Sequence, residues 1–155
     1  MEIPQLLEFG EFSKDKFVEF ALRSEHLDPQ KASSELAIAP SHAFAKGDKR
    51  IHATVDPDTG ETSERTSEKP WGLWALNSKG VGVTEKLEKH VLFLLEQLEP
   101  KQDKIAQYLR RGNDYDVFFY IWWMPDDGDG GYLIGTEVPQ RMSRLCHYVE
   151  FSFGT

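Results

Sequence analysis

Along the chain, segments with a two-residue apolar period alternate with segments whose apolar positions recur every three or four residues. The longest uncharged run is Val117-Phe118-Phe119-Tyr120-Ile121-Trp122-Trp123-Met124. It is too short to span a bilayer, and its aromatic and β-branched content predicts a central strand. Val117, Phe119, Ile121 and Trp123 face one way, and Phe118, Tyr120, Trp122 and Met124 the other. A strand with one solvated face alternates apolar with polar. This one is therefore covered on both sides or offers an aromatic face to a partner.

The same reading places the other elements. Residues 16–23 form a strand with Val18, Phe20 and Leu22 opposite Phe17, Glu19, Ala21 and Arg23. Asp28-Pro29 opens a helix as N-cap and first-turn proline, and that helix runs through Leu36 and stops before Pro40. Residues 41–55 are extended, with a turn at Lys46-Gly47-Asp48. Residues 56–70 carry no large apolar side chain, and Asp58-Thr59-Gly60 is a turn signal, which predicts a polar loop or hairpin tip. Residues 71–77 read as a strand with Trp71, Leu73 and Ala75 opposite Trp74 and Leu76.

With Thr84 as N-cap, the stripe Leu87, Val91, Leu94, Leu95 and Leu98 predicts the strongest helix. Pro100 breaks it, and a second helical piece holds Ile105, Tyr108 and Leu109. After the aromatic run come an acidic turn at 125–131, a short strand at 132–134 and a helix at 137–145. A last strand then alternates His147, Val149, Phe151 and Phe153 with Tyr148, Glu150 and Ser152. Leu6, Leu7, Phe9 and Phe12 in the leader pack on an edge. The order predicts one α+β domain over residues 1–155, a two-layer sandwich of a mainly antiparallel sheet with helices packed on one face.

Charge changes the picture of partners. Lys+Arg number 18 and Asp+Glu 26, a formal net charge of −8 over 155 residues. That disfavours nucleic acid and anionic membranes and permits a basic protein partner. The single Cys146 forms no intramolecular disulfide and reads as a buried structural thiol in a reducing compartment. The first residues show neither a basic nor an apolar signal region, so a cytoplasmic location is expected.

Several ordered pieces resemble domain-of-unknown-function family 4279, a bacterial family. They are Leu27-Asp28-Pro29, then Ile38-Ala39-Pro40-Ser41-His42-Ala43-Phe44-Ala45-Lys46-Gly47-Asp48, the tryptophan-bearing strand at 71–76, Leu87-Glu88-Lys89-His90, Leu98-Glu99-Pro100 and the final strand. The long polar insertion near 56–69 departs from that pattern. The resemblance implies the α+β fold and a bacterial source and supplies no catalytic residue. Small families of this kind resemble immunity proteins of toxin systems by analogy of fold alone.

Candidate chemistry is sparse. An EF-hand-like count from Asp126 puts Gly131 sixth and Glu137 twelfth, but Gly128 and Gly130 stand where ligands belong. A metal there would use Asp126, Asp127, Asp129 and Glu137; a flexible turn is the better reading, and no metal or cofactor is expected. His26, His42, His52, His90 and His147 lack zinc-ligand spacing. His42 and His52 flank Lys46-Gly47-Asp48, a weak anion signal without a glycine-rich cradle. No G-x-S-x-G or Cys/His pair suggests a nucleophile. The leading expectation is a non-catalytic protein-binding module, an immunity protein that occludes a basic toxin domain. Phe118, Tyr120 and Trp122 supply its contact area, and Asp126, Asp127 and Asp129 with the acidic stretch 56–68 steer association. The alternatives are a homodimer that pairs sheet faces through Trp122, and a small-ligand or metal-dependent protein.

Overall fold

The structure, a computed structural model, describes residues 16–123 and 135–153. In chain order it contains β1 (Lys16–Ser24), α1 (Pro29–Leu36), β2 (His42–Phe44), β3 (Lys49–Val55), β4 (Thr62–Glu68) and β5 (Gly72–Asn77). There follow α2 (Leu87–Leu98), α3 (Gln102–Leu109), β6 (Asp116–Trp123), α4 (Glu137–Ser143) and β7 (Tyr148–Phe153). Five strands make one sheet in the order β2-β5-β1-β6-β7, and β3 and β4 make a separate two-stranded sheet.

The aromatic run forms β6, paired on both sides as its two apolar faces require, but the middle position belongs to β1. Sequence period sets which face a side chain takes and is silent on lateral order, because pairing partners are chosen over long sequence separations. β1 pairs antiparallel with β5 and β6, and β2 antiparallel with β5. β6 and β7 run parallel, as strands joined through a helical crossover do; α4 lies in that connection.

One face of the sheet carries Val18, Phe20, Leu22, Trp74, Leu76, Val117, Phe119, Ile121 and Trp123, all buried. Against it pack Ala32 and Leu36 of α1, the whole predicted stripe of α2, Ile105 and Tyr108 of α3, and Val138 and Met142 of α4. This is the two-layer α+β arrangement, a mainly antiparallel sheet with its helices on one face. The Trp74 indole donates to Ser33 Oγ at 3.0 Å, tying α1 to β5. No helix among the described residues is long and apolar enough to cross a membrane.

Local signals explain the helix ends. The Asp28 carboxylate accepts from the Gln30 and Lys31 amides at 3.0 and 3.2 Å, and Pro29 occupies the first turn. The cap of α2 is Lys86 rather than Thr84: the Glu85 amide donates to Gly82 O, so the preceding turn still holds the chain at 85. Pro100 sits in a 3-10 turn that redirects the chain from α2 into α3. Gly72 starts β5 against Leu27, where a Cβ would lie 3.0 Å from the Leu27 Cβ.

The stretch 56–70, expected as a polar loop or hairpin tip, contains a strand as well as a hairpin tip. β4 pairs with β3 through all seven residues, and only 56–61 form the tip, with Gly60 at φ +71°. Its Thr, Ser, Glu and Arg side chains have no apolar period because no face of this ribbon enters a core. No residue of β3 or β4 is buried. The ribbon is an arm that continues the β2–β5 pair, joined by Gly47 N to Lys69 O and Lys69 N to Asp48 O, both 2.8 Å.

Candidate functional site

On the sheet face away from the helices, cross-strand register builds rows of side chains. One row is Phe44, Leu73, Arg23 and Asp116, and the next is His42, Ala75, Ala21, Phe118 and Tyr148. Arg23, the penultimate residue of β1, is the hub. Its Nη2 donates to Asp116 Oδ2 at 3.0 Å and to the Tyr148 hydroxyl at 3.2 Å. The guanidinium carbon lies 5.0 Å from the Phe118 ring centre and 5.5 Å from that of Trp71, an arrangement that suits the flat, weakly hydrated cation. The Tyr148 and Phe118 rings stack at 5.2 Å and 2°.

Arg23, Trp71, Asp116, Tyr148, Val149 and Glu150 line an open depression of about 690 Å³. A smaller hollow of about 190 Å³ shares Arg23, Trp71 and Asp116 and extends to Glu25 and Asp114. Together the linings hold one arginine against Glu25, Asp114, Asp116 and Glu150, a formal 1 − 4 = −3. Lys46 and Arg111 pair with Glu25 and Asp114 from outside the lining, both at 3.6 Å. Burial pushes the Tyr148 phenol above its usual range, against the pull of Arg23, so at neutral pH it keeps its proton and accepts from Arg23. The site offers charge, hydrogen bonds and aromatic surface. Its one aliphatic hydroxyl, on Ser24, is buried and accepts from the His26 amide.

One geometry elsewhere has the outline of a nucleophile and base. Ser78 Oγ lies 2.7 Å from His90 Nδ1, and His90 Nε2 lies 2.8 Å from Gly82 O. The hydroxyl accepts from the Val18 amide at 2.8 Å, so its proton goes to Nδ1 and Nε2–H donates to the carbonyl. Both residues are fully buried. A substrate has no approach, and the pair fastens the start of α2 to β1.

Phe118, Tyr120 and Trp122 lie together on this face, as their alternation predicts, in a cluster with Phe17, Ala21 and Ala75. They are 6, 9 and 6 % exposed, so within one chain they form an inner layer rather than an open patch. Phe118 touches the depression only through its contacts with Arg23 and Tyr148, which line it. Trp122, on which a face-to-face dimer would rest, has little surface to share. Asp126, Asp127 and Asp129, and the short strand at 132–134, lie outside the described residues, as does the apolar leader. Glu137 begins α4 and approaches Arg141 at 4.0 Å.

Three other histidines have protein partners: His42 with Glu19 and His52 with Ser67, both at 2.8 Å, and His147 with the Val117 amide and the Leu109 carbonyl. Around the weak anion signal, Lys46 pairs with Glu25, and Gly47 and Asp48 bond Lys69 at the arm's base. Among the described residues no three His, Cys, Asp or Glu side chains converge as a metal set would. Sequence reasoning missed Arg23, Trp71, Asp116 and Tyr148, which lie up to 125 positions apart. The one available signal was Arg23 itself, a cation at the end of a strand face that holds Phe17, Glu19 and Ala21.

No curated protein and no solved structure matches the chain. A family model covers residues 13–154, nearly the whole sequence. The chain belongs to the family described as "Domain of unknown function (DUF4279)".

Proposed function

We propose that the protein is a non-catalytic binding module for a protein partner with a basic surface. The observation that carries this reading is the open, acid-rich depression around Arg23, edged by the part-exposed rings of Trp71 and Tyr148. Small-molecule sites enclose most of their ligand, whereas an open hollow with aromatic and arginine anchors suits a protruding side chain of a partner protein. The net charge of −8 and three acids at the arm tip (Asp56, Asp58, Glu61) favour a partner of opposite sign. Occlusion of a toxin domain by an immunity protein in the cytoplasm is the specific form proposed; the lone Cys146 accords with that compartment.

Affinity capture with the tagged chain, followed by binding kinetics on the recovered protein, tests it. Trp71→Ala and Arg23→Ala should each weaken binding by about tenfold or more, the scale of an interface anchor. Co-expression should protect cells if the recovered partner is toxic. Unchanged affinity in both variants would show that the depression is not the contact surface.

A further inference from the structure

We infer that the β3 edge of the arm pairs with the same edge of a second copy, joining two arms into one four-stranded antiparallel sheet. Three observations lead there. First, the arm stands as a two-stranded ribbon without a buried residue, with Ile51 62 % and Val55 61 % exposed. A lone ribbon of this kind is marginal in water, and an open edge is a template for another strand.

Second, the backbone of β3 is poised for it. Asp56 N donates to Glu61 O and Asp48 O accepts from Lys69 N. By alternation the even-numbered groups from 48 to 56 bond to β4, and those of Ile51, Ala53 and Val55 face the open edge. The edge runs seven residues without proline or glycine, whereas β2, the edge strand it continues, is only three residues long.

Third, the side chains of β3 are complementary to themselves in one symmetric register. Centred on Ala53, antiparallel pairing sets Ala53 opposite Ala53, Ile51 opposite Val55, His52 opposite Thr54 and Arg50 opposite Asp56 of the second copy. Ile51, Ala53 and Val55 share a face, so both Ile51–Val55 pairs close on one side, and no like charges stand opposite one another within the strand. The small Ala53 stands at the crossing point. Pairing through β4 is worse: centring on Glu64 or Arg65 sets like charges opposite one another. The second copy is therefore the occupant that fits, and the edge used is β3. This joins arms and does not depend on what the Arg23 depression binds.

Sedimentation velocity on the full chain at micromolar concentrations should show a species of twice the 17.8 kDa chain mass. Ala53→Pro removes an outward-facing N–H and no bond of the hairpin ladder. It should raise the dimer dissociation constant by about tenfold or more while the circular dichroism and melting profile stay as in the wild type. In a Cys146→Ser background, Ala53→Cys should cross-link between copies under diamide much faster than Ser63→Cys on the far strand, because facing residues of a bonded pair lie about 5.5 Å apart. A wild-type chain that stays monomeric, a dimer unaffected by Ala53→Pro, or equal cross-linking of the two cysteine variants would each overturn the assignment.

Discussion

Inside the core, His90 has both ring nitrogens committed, one to Ser78 and one to Gly82 O, and its ring meets Trp123 edge-on at 5.4 Å. Burial lowers its pKa from the ordinary 6.5. The unfolded chain therefore takes up a proton at a higher pH than the folded one. The stability due to neutral His90 is present above about pH 6.5 and is lost as pH falls from there through the folded value. His90→Gln should cost roughly 1–3 kcal/mol at neutral pH, the penalty of a buried partner left unmet. That cost should shrink on acidification, so the wild-type and variant urea curves converge as pH falls below about 6.5. A difference that does not vary with pH would mean His90 titrates alike in both states. Cys146 makes a second test. Burial pushes its thiol up to about 11, and its Sγ lies 3.3 Å from Met142 O. Iodoacetamide should thus modify the folded chain many times more slowly than the chain in denaturant, because the thiolate is the nucleophile. Equal rates would make Cys146 an accessible thiol and its structural reading wrong.

At the scale of elements, the body and the arm should behave as separate units. The α2 stripe is wholly buried, so Leu94→Ala should destabilise the body by about 2–5 kcal/mol. Replacing 50–67 with a short turn should shift the melting temperature by only a few degrees, since the arm buries nothing against the body. A collapse of the melting transition would show that the arm is part of the fold. The same division explains what the sequence made legible. β1, α1, β5, α2 and β6 announced themselves because each buries a face, and burial writes a period of two or 3.6 into the residues. β4, with Thr62, Ser63, Glu64, Arg65, Thr66, Ser67 and Glu68, buries no face and so writes none. The candidate site was half legible: alternation placed Phe118, Tyr120 and Trp122 on one face but not under cover. Arg23, Trp71, Asp116 and Tyr148 meet through the pairings of β1 with β5 and β6 and of β6 with β7, which are long-range choices that no local window contains.

On the proposed reading, charge and shape divide the work of binding between rate and lifetime across the whole molecule. The chain carries −8 in formal charge, and its arm tip holds Asp56, Asp58 and Glu61 without a base among residues 56–61. Asp126, Asp127 and Asp129 add a second acidic stretch in sequence. Charges that are far from the contact surface act through the long-range field, which 0.15 M salt screens over about 8 Å. They should therefore speed encounter and leave the bound complex nearly unchanged. Arg23 differs: it sits 25 % exposed between two aromatic rings and paired to Asp116, where its value lies in planar geometry rather than in distant attraction. Reversing Asp126, Asp127 and Asp129, or Asp58 and Glu61, should lower the association rate by roughly tenfold at low salt and flatten its salt dependence, with dissociation little changed. Arg23→Lys keeps the charge and loses the fork, so it should leave association near the wild-type rate and hasten dissociation. Stopped-flow or surface kinetics at two salt concentrations separates these outcomes. If the acid reversals act on dissociation and Arg23→Lys on association, the acids are contacts and the depression is not the anchor. If association is indifferent to salt in the wild type, the negative field has no part in finding the partner.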